Sequence, residues 1–141
     1  MLDTVQVILE KGAIAPTHAH DNDAGYDLYT PIPVTLFPNE RVAVDTKVKI
    51  DIPKGYYGRL ESKSGLMKNK GITCRGTIDS GYRGNIVVVL FNHTNRYVNF
   101  QVGDKITQIV FLKCESPKIE IVQSFDGQTD RDTNGFGSTG N

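Results

Sequence analysis

The chain has 141 residues, enough for one domain around one hydrophobic core and too few for two. Lys+Arg and Asp+Glu balance at 16 each, so no net field draws the chain to nucleic acid or an anionic membrane, and a phosphate group must be held by a few local residues. No apolar run reaches the length of a membrane span, the N-terminus lacks a basic region followed by an apolar one, and Cys74 and Cys114 form no C-x-x-C; the sequence predicts neither signal peptide nor zinc site nor disulfide framework, and a reducing, cytoplasmic setting.

Taken in order, the elements are β throughout. Val5, Val7 and Leu9 alternate with polar residues and predict a first strand. His18 and His20 in HAHD lack a partner set spaced for zinc or iron. DAGYDLYT (23–30) brackets Gly25 with Asp23 and Asp27, and reads either as a plain hairpin turn or as part of a site. Val48, Ile50 and Ile52 alternate before Pro53 and predict another strand. ESKSG (61–65) supplies Lys63, two hydroxyls and Gly65, suited either to a solvated loop or to a small nest of backbone N–H groups around an anion. At most one helical turn is expected, at Ser64–Asn69.

GITCRGTIDSGYRGN (71–85) sets glycine-flanked turns around Asp79 and Tyr82, then enters the apolar run Ile86–Phe91. A solvated turn has no use for an aspartate in that setting, whereas a backbone approached closely by a ligand does. Ile86–Phe91 and Ile106–Leu112 are nearly continuous apolar runs, the pattern of strands buried on both faces. GDKITQ (103–108) reads in isolation as a turn into a strand with Gln108 facing solvent. Many short strands separated by Pro, Gly and Asn turns predict an all-β jelly-roll-like barrel or sandwich over residues 1–123. Residues 124–141 cannot bury enough apolar surface to order themselves and are expected to form a flexible arm. Arg131, a phosphate fork, and Phe136, a ring that can stack, suit an arm that orders over a ligand.

Five stretches in order, AGYDLYT (24–30), GRLESKSGL (58–66), GTIDSGYRGN (76–85), GDKITQIV (103–110) and RDTNGFGSTG (131–140), together resemble the motifs of the homotrimeric deoxyuridine triphosphate nucleotidohydrolases, the dUTPases. The resemblance runs from about residue 5 to the C-terminus. It implies hydrolysis of dUTP to dUMP and pyrophosphate, which limits uracil in DNA and supplies dUMP for thymidylate synthesis. Asp79 matches the general base that activates a water for attack on the α-phosphorus. Backbone from Thr73 to Gly76, with Thr77 and Ile78, is implicated in reading uracil, and Tyr82 in lying against the deoxyribose and excluding a 2′-hydroxyl. Lys63, Ser64, Gly65 and Gln108 match phosphate contacts, and Asp27 a group touching the water shell of Mg²⁺. Arg131 is implied to clamp the terminal phosphate, Phe136 to cover uracil, and Gly137, Ser138 and Thr139 to add loop contacts.

The resemblance also implies a homotrimer with shared active sites. The chain departs from the family pattern in three places. It has Ser62-Lys63-Ser64-Gly65 where the family usually shows Pro-Arg-Ser-Gly, Gly81 where many members carry an acid, and Asp132 and Asn134 at positions often held by glycine. The related dCTP deaminases share the fold, and uracil is favoured over cytosine by the family pattern alone. A regulatory protein-binding role, as in some phage and viral members, is a further alternative.

Overall fold

The computed structural model describes residues 1–137. Its strands are β1 (Gln6–Leu9), β2 (Gly25–Tyr29), β3 (Val34–Leu36), β4 (Arg41–Asp45), β5 (Val48–Asp51), β6 (Tyr56–Glu61), β7 (Ile72–Ile78), β8 (Val87–Asn92), β9 (Val98–Phe100) and β10 (Lys105–Lys113), with one helix, α1 (Ser64–Lys70), between β6 and β7. A curled six-stranded sheet runs in the order β2-β10-β6-β7-β8-β4, and the pairs β1-β5 and β3-β9 complete the jelly-roll-like body. Every strand pairing is antiparallel.

The period-2 pattern decides which side chains meet. Val48 and Ile50 of β5, Leu60 of β6, Val88 and Leu90 of β8 and Ile106 and Ile109 of β10 point into one core with Leu28, Leu36 and Phe100. Each such aliphatic side chain contributes roughly 1.5–3 kcal/mol by leaving water. The opposite face of β8 behaves differently from the sequence expectation. Val87 is 45% exposed and Phe91 37%, so this strand is not buried on both faces within one chain.

Helix α1 is longer than the single turn expected. Its seven residues end in Lys68 and Lys70, which suit the negative end of the helix, and Gly71 stops it in the left-handed region at φ 64°. A buried amide fastens the β3–β9 pair: Asn92 Nδ2 donates to the carbonyls of Phe37 (3.1 Å) and Arg96 (2.7 Å), while its oxygen accepts from Thr94 N (3.0 Å). Among the described residues no regular structure follows Lys113, and residues 114–137 are exposed throughout. No helix among the described residues is long and apolar enough to cross a membrane.

Candidate active site

Strand pairing brings the first, second and fourth motifs to one place. Gln108 of β10 stands opposite Asp27 of β2 on one side and opposite Glu61 of β6 on the other, and Lys63 follows directly after β6. AGYDLYT is thus a strand and not a plain turn. The Asp27 carboxylate is almost fully buried and meets two ammonium groups: Lys63 Nζ lies 2.5 Å from Oδ1 and Lys105 Nζ 3.3 Å from Oδ2. The neighbouring Glu61 is paired with Arg59, so the cluster keeps one unbalanced positive charge inside a chain of zero net charge.

Gln108 is half-buried, and its Nε2 donates to the carbonyl of Ser62 at 3.4 Å. Gly25 makes room for it: a Cβ there would stand 2.7 Å from Gln108 Oε1 and 3.2 Å from Val110 Cγ2. The Ser62 hydroxyl accepts from Cys74 N and donates to Cys74 O, both at 2.9 Å, and so ties the loop after β6 to β7. Lys63 caps no first-turn N–H of α1 with its side chain and no acid stands in that turn, which leaves donors at the exposed Ser64 and Gly65 for an anion. Burial pushes the Cys74 thiol up, against hydrogen bonds from Thr107 and Ser62 that lower it, so this cysteine is a packing residue.

The third motif forms the turn between β7 and β8. Tyr82 N donates to Asp79 O at 3.2 Å, Gly81 N to Ile52 O at 3.1 Å, and Tyr82 Oη to Asn85 O at 2.8 Å. The Tyr82 ring lies over Gly84, where a Cβ would come within 2.7 Å of Cζ. Asp79 and Thr77 are exposed, while Gly76 and Ile78 are half-buried on the strand leading to them. Thr73 Oγ1 is 2.6 Å from His93 Nε2 across the β7–β8 pair.

One chain does not unite these two regions. Ile78 is level with Gly58 and Gln108 with Glu61, and β7 and β10 flank β6 on opposite sides. Asp79 therefore lies roughly 15 Å from Gln108, at ~3.3 Å per residue along a strand and ~4.8 Å between strands. The fifth motif stands apart from both. Among the described residues Arg131 Nε donates to Asn134 O within its own loop (2.8 Å), and Phe136 and Gly137 are exposed; Ser138 and Thr139 lie outside the described residues. Asp132 holds a left-handed φ of 45°, a conformation that glycine takes without strain.

Lys105 carries no signal of its own in the sequence, because a lysine beside a turn is not distinctive; strand register reveals its partner. Among the described residues no three His, Cys, Asp or Glu cluster as a metal cage. The donor set, one buried carboxylate beside phosphate-type donors, fits a cation that arrives on a triphosphate with its own waters. An apolar cavity of about 590 Å³ lined by Val5, Val7, Tyr26, Tyr56 and Phe111 holds none of the candidate residues.

The sequence model of the dUTPase family matches residues 11–140. This chain belongs to the dUTPase family. A deoxyuridine 5'-triphosphate nucleotidohydrolase of cowpox virus is 43% identical over 129 residues, covering 91% of this chain and 86% of the viral one. The dUTPase of Staphylococcus bacteriophage 80alpha with dUpNHpp superposes with a TM-score of 0.92 at 30% identity, covering 98% of this chain and 99% of that one. That phage protein is described as controlling transfer of virulence genes. A phage phi11 dUTPase variant, described as coordinating a structural Mg(II) ion, matches with a TM-score of 0.83 at 28% identity over 89% of this chain and all of its own.

Proposed function

We propose that this dUTPase hydrolyses dUTP to dUMP and pyrophosphate at a site built by more than one copy of the chain. The observation that carries the reading is the buried Asp27 between two lysines, level with Gln108 and beside the uncapped start of α1. In a neutral chain this is a local phosphate site, and it occurs where three dUTPase motifs converge. Lys63, Ser64, Gly65 and Gln108 hold the phosphate chain, and Asp27 faces the hydrated cation it carries. Mg²⁺ bound to the triphosphate supplies neutralisation of the charge that develops on the phosphate oxygens.

Asp79 accepts a proton from the attacking water, which is positioned for in-line displacement at the α-phosphorus. Uracil sits against the backbone from Thr73 to Gly76, with Thr77 and Ile78 forming the approach. Tyr82 lies flat against the deoxyribose, so a 2′-hydroxyl finds neither space nor a hydrogen-bond partner.

A general base and a phosphate site ~15 Å apart on one chain cannot act on one α-phosphate, which supports Asp79 of one copy serving the phosphate site of another. The exposed apolar face at Val87 and Phe91 supports the same reading, because a homotrimer would cover it. In this reading residues 1–123 are the body and residues 124–141 an arm that brings Arg131 to the terminal phosphate and Phe136, with Gly137, Ser138 and Thr139, over the base. The free cysteines Cys74 and Cys114 support a reducing, intracellular setting.

Pyrophosphate release measured with dUTP, UTP and the four common deoxynucleoside triphosphates tests the assignment, with turnover expected for dUTP alone. Ammonia release from dCTP would replace it with deamination.

A further inference from the structure

We infer that Lys105 is a second phosphate-binding lysine of this site, held on Asp27 in the free protein and released to the nucleotide when the hydrated cation docks. The inference rests on the placement of Asp27 proposed above. Asp27 is too buried to meet solvent freely, and each of its oxygens is already engaged by an ammonium. A hydrated cation that docks on this carboxylate repels the ammonium groups already there, and the more loosely held of the two gives way.

The two contacts are unequal. Lys63 is close, at 2.5 Å, and its side chain is only 28% exposed. Lys105 is at 3.3 Å, beyond the usual length of a charge-assisted hydrogen bond, and its side chain is 50% exposed. Oδ2 is therefore the oxygen that changes partner, and Lys105 is the group that leaves. Its flexible four-carbon stem lets the ammonium move several ångströms without backbone change. A displaced ammonium has nearby anionic company in the triphosphate, because Gln108, on the same strand, and Ser64, next to Lys63, line the same place. Lys63 accompanies Asp27 in both states, and so the buried carboxylate is left unpaired at no stage.

The test is isothermal titration of dUpNHpp into the full-length protein, in excess Mg²⁺ and in EDTA, for the wild type, Lys105→Met and Lys105→Arg. Lys105 starts a strand and is half-exposed, so both variants should fold, with circular dichroism as the check. With Mg²⁺, Lys105→Met should weaken binding about tenfold, the size of one lost charge-assisted contact. In EDTA nothing displaces the lysine from Asp27, and the loss should stay within about twofold. Lys105→Arg should recover most of the affinity. Wild-type affinity for Lys105→Met in Mg²⁺ would overturn the inference, as would equal losses in the two buffers, which indicate a static charge and not an exchange. Failure of the wild type to bind dUpNHpp in Mg²⁺ would instead overturn the nucleotide site itself.

Discussion

Replacing Gly84 by alanine tests whether the Tyr82 ring sets sugar specificity without touching the ring's own chemistry. Gly84 is not among the glycines with left-handed φ, so alanine costs nothing in backbone conformation and acts through contact alone. The added Cβ would stand 2.7 Å from Tyr82 Cζ and 3.1 Å from Cε1. Carbon atoms rest at about 3.5–4.0 Å, so the ring must retreat by about 0.8 Å or more. Tyr82 is 45% exposed, which lets it swing outward instead of deforming the hairpin. That motion breaks its 2.8 Å hydrogen bond to Asn85 O, a stability loss of about 1 kcal/mol.

The functional effect should be larger. A misplacement near 1 Å can lower a rate by up to about a hundredfold, so kcat/KM for dUTP should fall between about tenfold and a hundredfold. The UTP rate should hold or rise, since the surface that excludes the 2′-hydroxyl has moved away. Tyr82→Phe is the control: it loses the tether but keeps the ring, and should cost less than about tenfold at 1 kcal/mol. Pyrophosphate release with both nucleotides, beside thermal melts, gives the ratio. A Gly84→Ala protein with the wild-type dUTP-to-UTP ratio refutes the assignment of Tyr82.

Four further outcomes are expected. Asp79→Asn should fold normally and bind dUpNHpp within a few-fold of wild type, while kcat falls at least about a hundredfold; near-normal turnover removes Asp79 from the role. Deleting residues 130–141 should leave the circular dichroism spectrum intact and nearly abolish hydrolysis, with Phe136→Ala causing part of that loss; a full-length rate from the truncated protein shows that the arm does not close the site. Light scattering should give a trimer that Phe91→Lys disrupts, and a stable, active monomer contradicts the shared site. Glu10 is held below its ordinary pKa by Lys49, 2.5 Å away, and by Asn85. Its depressed value means that its contribution to stability is present above the ordinary carboxylate range and lost as pH falls through the folded value; Lys49→Met should bring the Glu10 titration back up by NMR, and an unmoved titration dismisses the pair.

Much of the β architecture was legible because its cause is local. Val48 and Ile50 alternate and form β5, and the apolar runs 86–91 and 106–112 carry β8 and β10. The dUTPase motifs were legible because their order along the chain is more specific than any one of them. What could not be read is what register creates. Nothing local says that Gly25 must be glycine to seat Gln108, since the two residues are far apart in sequence and meet only where β2 joins β10. Nothing local distinguishes Lys105 within GDKITQ either, and that same pairing sets it on Asp27. The run 86–91 looked like a strand buried twice over; a single chain covers one face, and the second belongs to surface that a lone sequence does not describe. The separation of Asp79 from Gln108 is likewise a property of the sheet and not of either motif.

The place of β10 in the sheet governs when the molecule can fold. This strand is the last of the described strands to be made, yet it occupies an inner slot between β2 and β6, so a growing chain on the ribosome must keep that slot open until Lys113 has emerged. Pairings between such distant segments form slowly, because loop closure comes before any contact offsets it. The edges of β2 and β6 stay bare in the meantime, a period in which association with other chains competes with native pairing. Asp27 meets Lys105 in that same closing step, so assembly of the phosphate site is coupled to completion of the sheet.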